Sequence, residues 1–132
     1  MRVVLLVALF FFASVPAAWA QSQADLNASA CQAAKKADAE LNAVYNAIIQ
    51  KNAGEKAFLD KFKAAQRAWL AFRDAELAAR FKVDPSEMYA SSFNLCWCTA
   101  LAELTEKRTA QLKPWRDGVV EGDICAGSYP VH

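Results

Sequence analysis

Three stretches of the chain repeat their apolar positions with the three-four spacing of one helical face. In the first, Cys31, Ala34, Ala37, Leu41, Val44, Tyr45, Ile48 and Ile49 recur, which predicts a helix from about Asp25 or Ser29 to Asn52. Ser29 followed by Gln32 has the form of a capping box. Asn52-Ala53-Gly54 is the expected stop, with the glycine taking the left-handed conformation. In the second, about Glu55 to Phe81, the stripe is Phe58, Phe62, Ala65, Trp69, Phe72 and Ala75. Leu59, Gln66, Leu70, Arg73 and Leu77 flank it, and Lys56, Asp60, Lys61, Lys63 and Arg80 form the wet side. The third opens on Asp84-Pro85-Ser86-Glu87, a cap, a first-turn proline and a capping-box acid. It is expected to run to about Leu112, stop at Lys113-Pro114, and bury Tyr89, Phe93, Trp97, Ala100, Leu101, Leu104 and Arg108.

Short connections between these segments predict an all-α, antiparallel up-down-up three-helix domain over 21–114. Residues 115–132 hold Gly118, Gly122, Gly127 and Pro130 without periodicity, so an irregular tail is expected there, tied back by Cys125.

The remaining apolar block is of another kind. Met1-Arg2, an uncharged run from Val3 to Val15, and Ala18-Trp19-Ala20 have the three parts of a secretory signal, with cleavage expected between Ala20 and Gln21. The run is shorter than the roughly 20 apolar residues that cross a bilayer. Gln21 rather than Cys follows the cut, so no lipid-modified cysteine is expected to anchor the product. A periplasmic or secreted protein is implied, without a membrane anchor after cleavage.

Export gives the four cysteines a meaning. In an oxidising compartment Cys31, Cys96, Cys98 and Cys125 are expected to form two disulfides. Cys96 and Cys98 sit two apart on a helix and point apart, so one reaches Cys31 and the other Cys125. Cys31–Cys96 with Cys98–Cys125 is slightly preferred, and the opposite assignment stays open. His132 is the single histidine, so neither a metal set nor a cofactor is expected.

Loss of Arg2 leaves 14 Lys and Arg against 14 Asp and Glu. A neutral chain argues against nucleic acid, whose binding rests on uncompensated cations.

One block stands out: Gln66-Arg67-Ala68-Trp69, then Phe72-Arg73-Asp74-Ala75-Glu76. Gln66, Trp69 and Arg73 share a helix side, and a partly buried guanidinium needs a partner; Asp38, Asp74 and the carbonyl groups of neighbouring helix ends are the candidates. The cluster is expected to fix helix packing, with ligand contact as the second role. With Asp38-Ala39-Glu40-Leu41-Asn42 and Tyr45 before it, and Leu104-Thr105 with Arg108 and Leu112 after it, the chain resembles the LprI-like lysozyme-inhibitor domain family. The three blocks follow in that family's order over about residues 31–112. Leu77 stands where many members have a cysteine, and Asp84-Pro85-Ser86 where many have a Gly-Gly-Ser loop. The resemblance implies the same helices with a different disulfide arrangement. It also implies a non-enzymatic envelope binding protein whose partner is a lysozyme or another envelope protein. The alternative is a structural or interaction module without lysozyme inhibition.

An inhibitor must occlude a cleft that carries two carboxyl groups. The loop 82–87 and the tail 121–132 are the candidates for that contact, with Ser128, Tyr129 and His132; Trp115 and Tyr129, expected to be exposed, are the candidate partner-binding residues of an interaction module. An enzyme is the remote reading. No catalytic residue is nominated, because no nucleophile motif or phosphate loop is present, and Asp60, Glu103 and Glu106 read as solvated helix charges.

Overall fold

A computed structural model describes residues 18–82 and 92–132. They form α1 (Ala18–Lys51), α2 (Lys56–Arg80) and α3 (Phe93–Asp117), followed by an irregular tail. The chain is all-α and runs up, down and up. Cys31, in the first half of α1, meets Cys98 near the start of α3, and the Lys51 ammonium donates to the Arg116 carbonyl near the ends of both; those two helices therefore run parallel. α2 returns antiparallel, with Phe62 against Trp115 and Phe81 against Phe93.

α1 and α3 meet along two seams of helical spacing. Ala34, Ala37, Leu41, Val44 and Ile48 are buried on α1, and Ala102, Thr105, Thr109 and Leu112 on α3. The small side chains Ala34, Ala37 and Ala102 pack together at one end; Leu41, Val44, Ile48, Phe62 and Leu112 form the main core at the other. Each large side chain buried there contributes about 1.5–3 kcal/mol. Thr105 and Thr109 are tolerated inside because their hydroxyls donate to the carbonyls of Leu101 (2.7 Å) and Thr105 (3.0 Å). α2 is held through rings: Phe62 stacks on Tyr45 of α1 at 5.5 Å and meets Trp115 of α3 edge-on at 5.4 Å.

Several boundaries differ from the sequence expectation. The apolar run 3–15 lies outside the described residues, but α1 already begins at Ala18 and runs through the expected cleavage point. Ser29 and Gln32 are thus mid-helix and cap nothing. Gly54 keeps a negative φ; α1 ends instead on Asn52, whose amide donates to the Ile48 carbonyl at 2.8 Å. Asp84, Pro85, Ser86, Glu87 and Tyr89 lie outside the described residues. α3 does not stop at Lys113-Pro114 but reaches Asp117. A proline in the last turn removes a single helical hydrogen bond, and Gly118, at φ 87°, closes the helix by donating to the Pro114 carbonyl.

The buried face of α2 is also rotated. Leu59, Phe62, Gln66 and Leu77 are buried, whereas Ala65 and Ala75 are exposed and Phe72 is 54% exposed. On α3 the expected face omitted Ala102, Thr105, Thr109 and Leu112, the residues that meet α1.

The disulfide pairing corrects the preferred one. Cys31 bonds Cys98, while Cys96 and Cys125 are both free and exposed. Cys98 continues the α3 seam toward α1; Cys96, two residues earlier, faces away. The tail is therefore not tied by Cys125. A parallel bridge between Val119 and Val131 holds it, with Val119 N–H donating to the Pro130 carbonyl (2.8 Å) and His132 N–H to that of Val119 (3.1 Å).

Candidate functional site

The motif residues of the three helices converge beside α2. Arg108 Nε donates to Gln66 Oε1 at 3.0 Å, and its Nη1 to Gln111 Oε1 at 3.2 Å. Burial pushes the Arg108 guanidinium below its ordinary pKa. Trp69 lies between two cations, with the Arg73 and Arg108 guanidinium carbons 5.5 and 5.9 Å from its ring centre, inside the range of a cation–π attraction. Of the two acids expected to pair with Arg73, Asp74 does so, accepting from Nε at 2.9 Å and Nη2 at 2.7 Å. Asp38 instead accepts from Asn42 Nδ2 at 3.0 Å on its own helix. Leu41 and Thr105 belong to the core and Tyr45 packs against it.

Two adjoining grooves open along this face. A wide one, about 680 Å³, has Lys35, Asp38 and Asn42 of α1, Arg73 of α2, and Trp97 and Leu101 of α3 in its lining, with the Cys31–Cys98 disulfide. A narrower one, about 220 Å³, shares Asp38 and Asn42 and continues past Tyr45, Gln66 and Arg67. Asp38 and Asn42, bonded to each other on the exposed side of α1, thus stand in the groove walls, whereas Gln66 also belongs to the packing. Sequence reasoning missed Lys35, Trp97 and Leu101 as groove residues and Gln111 as a partner of Arg108. Lys35, Trp97 and Leu101 are ordinary helical residues whose groove neighbours come from other helices, which leaves no local signal; Gln111 lies three residues from Arg108 on α3, a helical spacing that could have signalled the pair.

The tail candidates have a different fate. Trp115 and Tyr129 are half-buried rather than exposed: their rings meet edge-on at 4.8 Å, and Trp115 Nε1 donates to Ser128 Oγ at 2.9 Å. His132 lies against Gly118, where an added Cβ would collide with its ring. With Phe58 and Phe62, Trp115 and Ser128 line an apolar hollow of about 450 Å³.

The large apolar side chains that the tail exposes are Val131, at 51%, Val120, at 73%, and Ile124, at 98%. Ile124 sits on an ordered turn: Asp123 Oδ1 accepts from Cys125 N–H at 2.8 Å, and Ala126 N–H donates to the Asp123 carbonyl at 3.1 Å. Glu121 N–H donates to the His132 carbonyl at 3.1 Å. Residues 118–132 contain Glu121 and Asp123 but no Lys or Arg. At the base of the tail, Arg116 donates to Asp117 at 2.6 and 2.9 Å; that bond holds the Asp117 carboxyl below its usual pKa and Arg116 above its own. No helix among the described residues is long and apolar enough to cross a membrane. Those residues also hold no group of three or more His, Cys, Asp or Glu suited to a metal ion.

Residues 15–112 match the family model described as "Lysozyme inhibitor LprI". An uncharacterized protein of Rhizobium meliloti (strain 1021) is 39% identical over 106 residues, covering 71% of this chain and 73% of that protein. No solved structure matches the chain. The matched region takes in the two grooves and the packing cluster; the loop with Ile124 lies beyond it.

Proposed function

Because the chain belongs to the LprI lysozyme inhibitor family, we propose that it is an exported, non-enzymatic binding protein that blocks a lysozyme-type hydrolase. The loop 118–127 is the element it offers to the enzyme. The observation that carries this assignment is Ile124, an isoleucine left 98% exposed on a turn fixed by its own hydrogen bonds. A lysozyme cleft is concave, and a convex, preorganised loop enters it with little ordering entropy to lose. Common lysozymes are strongly basic. The overall neutrality of the chain gives no long-range steering toward such a protein, but Glu121 and Asp123, with no cation between residues 118 and 132, favour it locally. The apolar signal-like run of residues 3–15 supports export to a compartment where lysozyme acts.

A turbidity assay with the oxidised, signal-free protein tests this reading. Wild type is expected to slow lysis of cells by lysozyme in a saturable manner. Ile124→Ser is expected to weaken inhibition about ten- to a hundredfold, the equivalent of about 1.5–3 kcal/mol for burying that side chain. No slowing at large molar excess, across several lysozyme types, would sink the inhibitor reading. If wild type inhibits and Ile124→Ser inhibits equally, the loop is the wrong surface while inhibition stands. The second reading, an envelope interaction module without lysozyme inhibition, draws on the position of this loop outside the matched region 15–112.

A further inference from the structure

The wide groove at the disulfide end lies far from the loop with Ile124. Cys98 and Trp115 are separated by about 25 Å along α3 at 1.5 Å per residue, so the two surfaces cannot serve one small contact. Its volume of about 680 Å³ falls within the roughly 300–1,000 Å³ of pockets that hold small organic ligands. The floor is apolar, made by Ala34, Leu101 and the Cys31–Cys98 bridge, and Trp97 borders it. Around that floor stand Lys35, Asp38, Asn42 and Arg73, contributed by two helices.

We infer that this groove binds an acidic saccharide of about two rings, with its carboxylate beside Lys35. A pyranose ring has an apolar C–H face and a belt of hydroxyl groups at its edge. Trp97 and the floor suit the face; Asp38 as acceptor, and Asn42 and Arg73 as donors, suit the belt. The cations exceed the anion among the lining residues. Arg73 already has Asp74, at 2.7 Å, while Lys35 has no ion pair or hydrogen bond among the described residues. Lys35 is thus the cation open to a ligand carboxylate. An acidic peptide fits less well. Extended peptides are held through main-chain hydrogen bonds, and the groove lining comes entirely from helices, whose backbone groups bond along their own helix. The inference does not depend on lysozyme inhibition: it rests on a different end of the molecule and needs no enzyme.

Titration calorimetry of the oxidised, signal-free protein against three probes tests it, with indole N–H shifts followed by NMR and assigned through Trp97→Phe. The probes are a disaccharide of N-acetylglucosamine and N-acetylmuramic acid, the uncharged N-acetylglucosamine dimer, and a peptidoglycan stem peptide alone. The acidic disaccharide is expected to bind and to shift the Trp97 signal more than those of Trp69 and Trp115. The uncharged dimer is expected to bind about fivefold more weakly, the scale of one exposed ion pair. Lys35→Ala should erase that difference at unchanged melting temperature, because this side chain is exposed; Asn42→Ala should weaken both sugars. Absence of binding at millimolar probe overturns the proposal. So does a preference for the acidic sugar that survives Lys35→Ala, or a peptide that binds as tightly as the disaccharide.

Discussion

Gln66 is a polar side chain that is only 8% exposed, and it is inside because Arg108 needs it. Its Oε1 receives the Arg108 Nε–H at 3.0 Å, and Arg108 reaches that point across Trp69. Replacing Gln66 by Leu keeps the volume roughly but removes the acceptor, leaving a half-buried guanidinium short of one partner. An unsatisfied group of this kind costs about 1–3 kcal/mol. Thermal unfolding followed by circular dichroism should show Gln66→Leu melting several degrees lower, about 4–8 °C per kcal/mol for a domain of this size. Gln66→Glu keeps an acceptor and adds a charge opposite Arg108, so it should hold the wild-type melting temperature or exceed it. A lowered melting point for Gln66→Glu equal to that of Gln66→Leu would show that the amide packs rather than accepts. That Gln66, Trp69 and Arg73 form one side of a helix is legible in their spacing. That Arg108 completes the cluster is not, because spacing within one helix is silent about which residue of another comes opposite.

At the scale of the element, helix existence was readable and helix rotation was not. α1 has a narrow apolar stripe, and its buried positions Ala34, Ala37, Leu41, Val44 and Ile48 are those the periodicity nominates. α2 carries aromatic, aliphatic and alanine side chains around most of its circumference, so several rotations expose similar apolar area. A polar partner decides: turning Gln66 inward sets its Oε1 against Arg108 of α3, and it leaves Phe72 outside. α3 misled for the opposite reason. Besides Leu112, its buried face carries Ala102, Thr105 and Thr109, small or hydroxylated residues that hydropathy marks weakly as core but that let two helices approach. The rotation of α2 makes a contrast that stability measurements can read. Phe72→Ser, at a position 54% exposed, should change unfolding free energy by no more than about 0.5 kcal/mol. Leu77→Ala, at a position 2% exposed, should lose about 2–5 kcal/mol. Denaturant unfolding that ranked the two in reverse would put Phe72 in the core and restore the rotation suggested by hydropathy alone.

For the molecule as a whole, the question is what joins the two ends of the chain's helical layer. α1 and α3 touch along their length, yet the bond between Cys31 and Cys98 closes a loop of 67 residues that contains all of α2. Cross-linking a loop of that length removes unfolded-chain entropy equivalent to about 4 kcal/mol, a large share of the stability expected for so small a domain. Cys96 faces outward near the start of α3, whereas Cys125 belongs to the tail packed at its far end. These two thiols are too far apart to bond each other, since a disulfide requires Cα atoms within about 7 Å. An even cysteine count in an exported chain suggests complete pairing; the fold allows one pair. A thiol-reactive dye should therefore label two cysteines per folded monomer without denaturant, and mass spectrometry should register a two-unit gain on reduction, one bridge's worth. Cys96→Ser with Cys125→Ser should leave the melting temperature unchanged, while Cys98→Ser should lower unfolding free energy by about 2–5 kcal/mol. A monomer with no reactive thiol and a four-unit gain on reduction would require the tail to leave Trp115 and travel the length of α3, and would refute this packing of the C-terminal residues.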